Sequence, residues 1–132
     1  MYRYLILFIA TIFPINMVAV AQSALGTINA DGVREAILFS EDNRAQTYTF
    51  DFAKASDVRF LVASTGSNVT VKLFASGDTN PFVNISASSV DVTLGLEANE
   101  TYRLDITGPL NGRPLVSLAV DVVESAQSAS GQ

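Results

Sequence analysis

Chemistry in this chain has to come from oxygen. Its 132 residues include no histidine and no cysteine, which removes Ser-His-Asp and Cys-His nucleophile systems and the commonest zinc and iron ligands. Carboxylates and turn oxygens remain. Asp51, Asp91 and Asp105 alternate with apolar neighbours in extended stretches, so they project from outward faces where two could meet as the acid and base of a glycoside hydrolase. The same positions carry charge in ordinary sheet proteins for solubility and against edge pairing, and no catalytic residue is expected.

A second group of oxygens lies in the turn Ala75-Ser76-Gly77-Asp78-Thr79-Asn80-Pro81. Gly77 lets the backbone turn tightly, while Asp78, Thr79 and Asn80 offer oxygens at the tip. Calcium takes carboxylate and carbonyl oxygens from loops and is the one metal such a set could hold, with Asp78 and Asn80 as ligands. A single carboxylate implies weak affinity, about 10⁻⁴ to 10⁻³ M as in extracellular modules. Asn29-Ala30-Asp31 and Glu41-Asp42-Asn43 are poorer versions of the same idea. None forms a spaced acidic ladder, and Asp and Asn are also chosen in turns to hydrogen-bond the local backbone; no cofactor is expected.

Two aromatics bracket the 75–81 turn. Phe74 falls out of phase with Val71 and Leu73, and Phe82 follows Pro81. Together they form either an exposed apolar patch for a partner or part of a buried corner. The candidate ligand-binding set is therefore Phe74, Asp78, Thr79, Asn80 and Phe82. Tryptophan is absent, so an aromatic platform for sugars would have to use these phenylalanines.

The elements that must position this loop follow from a side-chain period of two. In Val90–Ile106, Val90, Val92 and Leu94 share one face and Asp91 and Thr93 the other; beyond a polar corner, Tyr102, Leu104 and Ile106 oppose Thr101, Arg103 and Asp105. This partition predicts a hairpin buried on one side. Tyr48, Phe50 and Phe52 line one face of another strand, and Val58-Phe60-Val62, Val69-Val71-Leu73 and Val116-Leu118-Val120-Val122 repeat the pattern. Shorter strands are expected at Gly26–Ile28, Val33–Phe39 and Phe82–Ile85, with a helical turn over Val33–Leu38 as the alternative for the second. Eight or nine strands about ten residues apart, separated by Gly, Asn, Asp, Ser and Pro, predict an all-β, antiparallel two-sheet β-sandwich.

The N-terminus reads as an export signal: Arg3, an apolar run from Leu5 to Phe13, a break at Pro14, and Ala19-Val20-Ala21 before Gln22. That run is short of the ~20 residues needed to span a bilayer, so cleavage after Ala21 and no membrane span thereafter are expected. The domain is then residues 22–123, and the tail 124–132, small and polar, is expected to be disordered. A net charge of −5 with no Lys/Arg cluster argues against nucleic acid as a partner. Three Asn-X-Ser/Thr sequons, at Asn68, Asn84 and Asn99, are mostly what chance would supply in a chain rich in these residues.

Four stretches in order resemble the bacterial pre-peptidase C-terminal domain: Gly26-Thr27-Ile28, Tyr48–Phe52, Val71–Asp78, and Leu96-Glu97-Ala98-Asn99-Glu100-Thr101-Tyr102-Arg103-Leu104. The resemblance implies a jelly-roll-like sandwich of the kind found on secreted proteases and other exported proteins. Where that family has glycine at the corner this chain has Asn99, the non-glycine residue that best tolerates the left-handed region. Such domains are usually appended to an enzyme, whereas this one is expected to stand alone.

These observations converge on an exported, non-catalytic binding module for a protein, envelope or glycan partner, in the periplasm or outside the cell. The alternative is a structural subunit whose sheet edges pair between chains into a fibre or matrix. A carboxylate-only hydrolase ranks last.

Overall fold

The computed structural model describes residues 19–109 and 112–123. The body of the expected signal peptide and the tail from Glu124 lie outside them. Nine strands are described: β1 (Ala19–Thr27), β2 (Val33–Leu38), β3 (Asn43–Asp51), β4 (Ser56–Ser64), β5 (Val69–Phe74), β6 (Val83–Ala87), β7 (Ser89–Leu96), β8 (Tyr102–Thr107) and β9 (Leu115–Val123). They form a five-stranded sheet, β1-β3-β8-β5-β6, and a four-stranded sheet, β2-β9-β4-β7. No helix among the described residues is long and apolar enough to cross a membrane.

The period-two apolar faces meet between the sheets. Tyr48, Phe50 and Phe52 are each at most 2% exposed, and Phe60, Leu73, Leu104, Leu118 and Val120 are buried with them. The Phe50 ring lies 5.9 Å from that of Phe60 in the opposite sheet and 6.1 Å from that of Tyr102, so one aromatic cluster joins the layers. Val92 and Leu94, expected in this core, are only partly buried, because β7 is an edge strand of the smaller sheet. Among the described residues Gln46 is the buried polar one; its amide donates to Ser23 Oγ at 3.3 Å, joining β3 to β1.

The all-β two-sheet sandwich is as expected, and one expectation within it needs correction. The stretch Val90–Ile106 is not a hairpin: β7 pairs with β4, Val92 opposite Phe60, whereas β8 pairs with β3 and β5 in the other sheet. Both strands form with the expected inward faces, but residues 97–101 cross between layers. Alternation reports which side of a strand is buried and not which strand lies beside it. Within the otherwise antiparallel sandwich, β1 pairs parallel with β3. The intervening β2 descends in the opposite sheet, so β1 and β3 rise in the same direction; parallel neighbours require such a crossover. β1 is longer than expected and begins at Ala19; removal of residues 1–21 would leave Gln22–Thr27 of it.

The crossing at 97–101 is held by three features. Asn99 adopts φ 59°, as the glycine-for-asparagine comparison required. Its N–H donates to Phe52 O at 2.9 Å. Tyr102 Oη accepts the Glu97 N–H at 2.8 Å, the tyrosine-corner arrangement of sandwich folds, in which a strand-initial tyrosine ties back to the chain upstream. Gly32 is the other position where the backbone dictates the residue: its φ is 74° and a Cβ there would run into the Val120 carbonyl.

Two outcomes follow. Tyr102→Phe keeps the ring and loses the acceptor for Glu97 N–H, so denaturant unfolding should show a loss of about 1 kcal/mol. Burial, and secondarily the charge of Glu35, pushes the Tyr48 phenol up to about 12 from 10.0. The folded chain therefore holds this proton more tightly than the unfolded one. The resulting stability is complete below pH 10 and is lost as pH rises through the interval to about 12; alkaline melts of the native chain should steepen there, and those of Tyr48→Phe should be flatter.

Candidate functional site

Strand register collects four connections at one end of the sandwich. Phe74 closes β5 opposite Arg103, Phe50 lies opposite Tyr102 and Ser56 opposite Leu96, so residues 28–32, 52–55, 75–82 and 97–101 all emerge together. Loops are free to vary where strands are committed to packing. Between the β5–β6 loop and the start of β8 lies a concavity of about 290 Å³, walled by Phe74 to Thr79 on one side and by Thr101, Tyr102 and Arg103 on the other.

The loop is built by local rules. Asp78 N–H donates to Ala75 O at 3.1 Å with Gly77 at φ 77°, a turn that needs glycine at its third position. Phe82 N–H donates to Leu73 O at 2.9 Å and closes the base.

Of the five candidate binding residues, the fold brings Phe74, Asp78 and Thr79 to this concavity. Asn80 is exposed and does not line it, and Phe82 stands beside it. The two aromatics, paired in the sequence expectation, separate. Phe74 is buried at 5% exposure beneath the Arg103 guanidinium, whose carbon lies 3.9 Å from the ring centre. Of the two readings of Phe74, the buried corner holds: the neighbouring strand β8 supplies a cation that covers it. Phe82 remains 47% exposed while its ring meets the edge of Tyr102 at 6.2 Å.

Arg103 is the residue that sequence reasoning did not nominate. Alternation placed it on the wet face, but only the β5–β8 register sets it opposite Phe74. Its Nε also lies 3.3 Å from Asp105 Oδ1, leaving the guanidinium clamped between an aromatic face and a carboxylate. Such a pre-ordered arginine gives up little freedom when it meets a ligand.

The outward carboxylates do not assemble a hydrolytic pair. Asp91 lies on the four-stranded sheet, and Asp51 and Asp105 on the other. Asp105 opposes Thr47, four residues from Asp51, or roughly 13 Å at ~3.3 Å per residue, beyond the ~5–9.5 Å of glycosidase carboxylates. Asp91 is held bidentately by Arg59 at 2.9 and 2.8 Å. That hydrogen bonding holds its carboxyl below the ordinary carboxylate range, whereas a general acid needs its pKa raised.

At one of the calcium candidates the turn oxygen is already engaged by backbone: Asn29 Oδ1 accepts Asp31 N–H at 2.9 Å. Among the described residues no three acidic side chains converge as a metal site would require.

No protein-family model matches the sequence, and no curated protein is similar to it in sequence. Solved structures share its fold. The pre-peptidase C-terminal domain of a collagenase from Bacillus anthracis superposes with a TM-score of 0.61 at 17% identity, covering 80% of this chain and 100% of the other. The Aeromonas hydrophila protein PliG, a periplasmic inhibitor of g-type lysozyme, gives 0.54 at 18% identity over the same shares of the two chains. CorA, a surface-associated copper-binding protein of Methylomicrobium album BG8, gives 0.51 at 10%, again covering 80% and 100%. The chain therefore has the sandwich fold of pre-peptidase C-terminal domains.

With one loop carboxylate and no convergent partners, Asp78 and Asn80 should not retain calcium. The melting temperature of the native chain is expected to stay unchanged on adding millimolar calcium; a rise that disappears in Asp78→Ala would establish the site by linkage.

Proposed function

We propose that the protein is an exported, non-catalytic module that recognises a protein partner through its loop end. The observation that carries this is the pairing at that end of a pre-ordered arginine, Arg103 on Phe74, with a half-exposed phenylalanine, Phe82, beside an open concavity. Arginine and aromatic side chains dominate the energetics of protein interfaces. The concavity, at about 290 Å³, falls just under the ~300–1,000 Å³ of pockets that enclose small ligands, which favours a protruding side chain of a larger partner.

The sandwich fold supports this use. PliG, of similar fold, is described as an inhibitor of a lysozyme and so acts on a protein. Asp31, Asp78, Glu97 and Glu100 surround the loops against Lys54 and Arg103, so the end is acidic around its arginine and fits a partner surface that is basic with a carboxylate at its centre. Export rests on the Arg3, Leu5–Phe13 and Ala19-Val20-Ala21 signal, with periplasmic and surface-associated proteins among those of similar fold.

Capture from the exported fraction on immobilised protein tests the reading. The native chain is expected to retain a partner, and Arg103→Ala and Phe82→Ala should each weaken it about tenfold or more while melting near the native temperature. Retention unaffected by both variants would move the site elsewhere. Intact-mass measurement of the exported chain should give a species beginning at Gln22; one that begins at Met1 would remove the export signal.

A further inference from the structure

The outer faces of the two sheets differ in chemistry. On the five-stranded sheet the outward row Gln22, Thr47, Asp105, Lys72 and Asn84 is polar from edge to edge. On the four-stranded sheet, Ala36, Ser117, Ala63 and Ser89 align into a floor of small side chains. Leu38 and Leu115, 63% and 49% exposed, rise on one side of it, and Leu61 and Ala119 on the other. A shallow groove of about 360 Å³ lies over this floor. Exposed apolar side chains rimmed by charged residues mark a candidate contact surface.

We infer that this face packs against the same face of a second copy of the chain. Consider a two-fold axis lying along the strands between β9 and β4. It sets each β9 over the second copy's β4 and each β2 over the second copy's β7. Register then decides what meets what. Arg34 lies over the second copy's Asp91, and Asp121 over its Arg59. Ala119 lies over its Leu61, and Ser117 over its Ala63. Opposite charges and large-on-small side chains coincide in both halves, as an isologous interface requires.

Charge selects the same arrangement. Two copies of a chain carrying −5 repel in general. On this face Arg34 and Asp121 are 2.8 Å apart and Arg59 and Asp91 are 2.8 Å apart, so these four charges cancel at its centre, with Asp57 outward at the start of β4, and the two pairs become four-membered networks on association. Four strands ~4.8 Å apart and about eight residues at ~3.3 Å give roughly 500 Å² per copy. The total of roughly 1,000 Å² is at the lower limit for a specific interface and corresponds to a weak, reversible dimer.

Sedimentation equilibrium of the purified protein, from micromolar to about 1 mM, tests this. A monomer–dimer equilibrium is expected. Ser117→Arg and, separately, Ala63→Arg place a bulky cation at the centre of the face on exposed positions. Each should raise the dissociation constant at least tenfold while keeping the native melting temperature; Arg34→Glu should do so through repulsion from the second copy's Asp91. Two independent sites keep the test decisive if one variant folds poorly. A monomer mass at every concentration would overturn the inference, as would a dimer indifferent to both arginine variants.

Discussion

Tyr102 sits where three demands on the chain coincide. Its ring belongs to the aromatic cluster that joins the two sheets, its hydroxyl holds the backbone of Glu97 at the crossing between them, and its position at the start of β8 sets the register that brings Arg103 to Phe74. The crossing exists because two strands with apolar inner faces can both bury them by facing each other across a core. The loop end inherits its geometry from that solution: when β8 is anchored beside both β3 and β5, the 75–82 loop and the 97–101 corner must emerge side by side.

The same anchoring separates what is rigid from what is adaptable. Phe50, Phe52 and Tyr102 are locked in ring contacts and buried. One residue further on, Arg103 lies flat on Phe74 at the surface, and Phe82 leans on the edge of Tyr102 with half its surface in water. Were the loop end to meet a partner as proposed, side chains rooted in core aromatics would lose little conformational freedom on binding. The polar loop tip, Gly77 to Asn80, makes fewer internal bonds and can adjust its contacts.

The two outer sheet faces divide the remaining surface. The larger sheet carries a polar row across its centre, while the smaller carries a floor of small residues between leucines with ion pairs beside it. Both faces lie along the flanks of the sandwich, away from the loop end. Association through the smaller sheet would leave two loop ends free, so a dimer would be bivalent toward a partner.

Much of this was legible in the chain. Alternation in Tyr48–Phe52, Val58–Val62 and Tyr102–Ile106 determined the strands and their inward faces, because a period of two is a local property of extended backbone and burial acts on each residue separately. The lack of histidine and cysteine narrowed the chemistry, and asparagine at position 99 anticipated its left-handed turn. Partners were not legible. Whether β7 and β8 form a hairpin or cross between sheets, whether β1 runs parallel to β3, and which cation covers Phe74 depend on contacts between residues distant in sequence. Residues 74 and 103 each follow their own strand's pattern, and nothing local to either specifies the other; only the register of β5 on β8, set by the packing of the whole core, places the guanidinium over the ring.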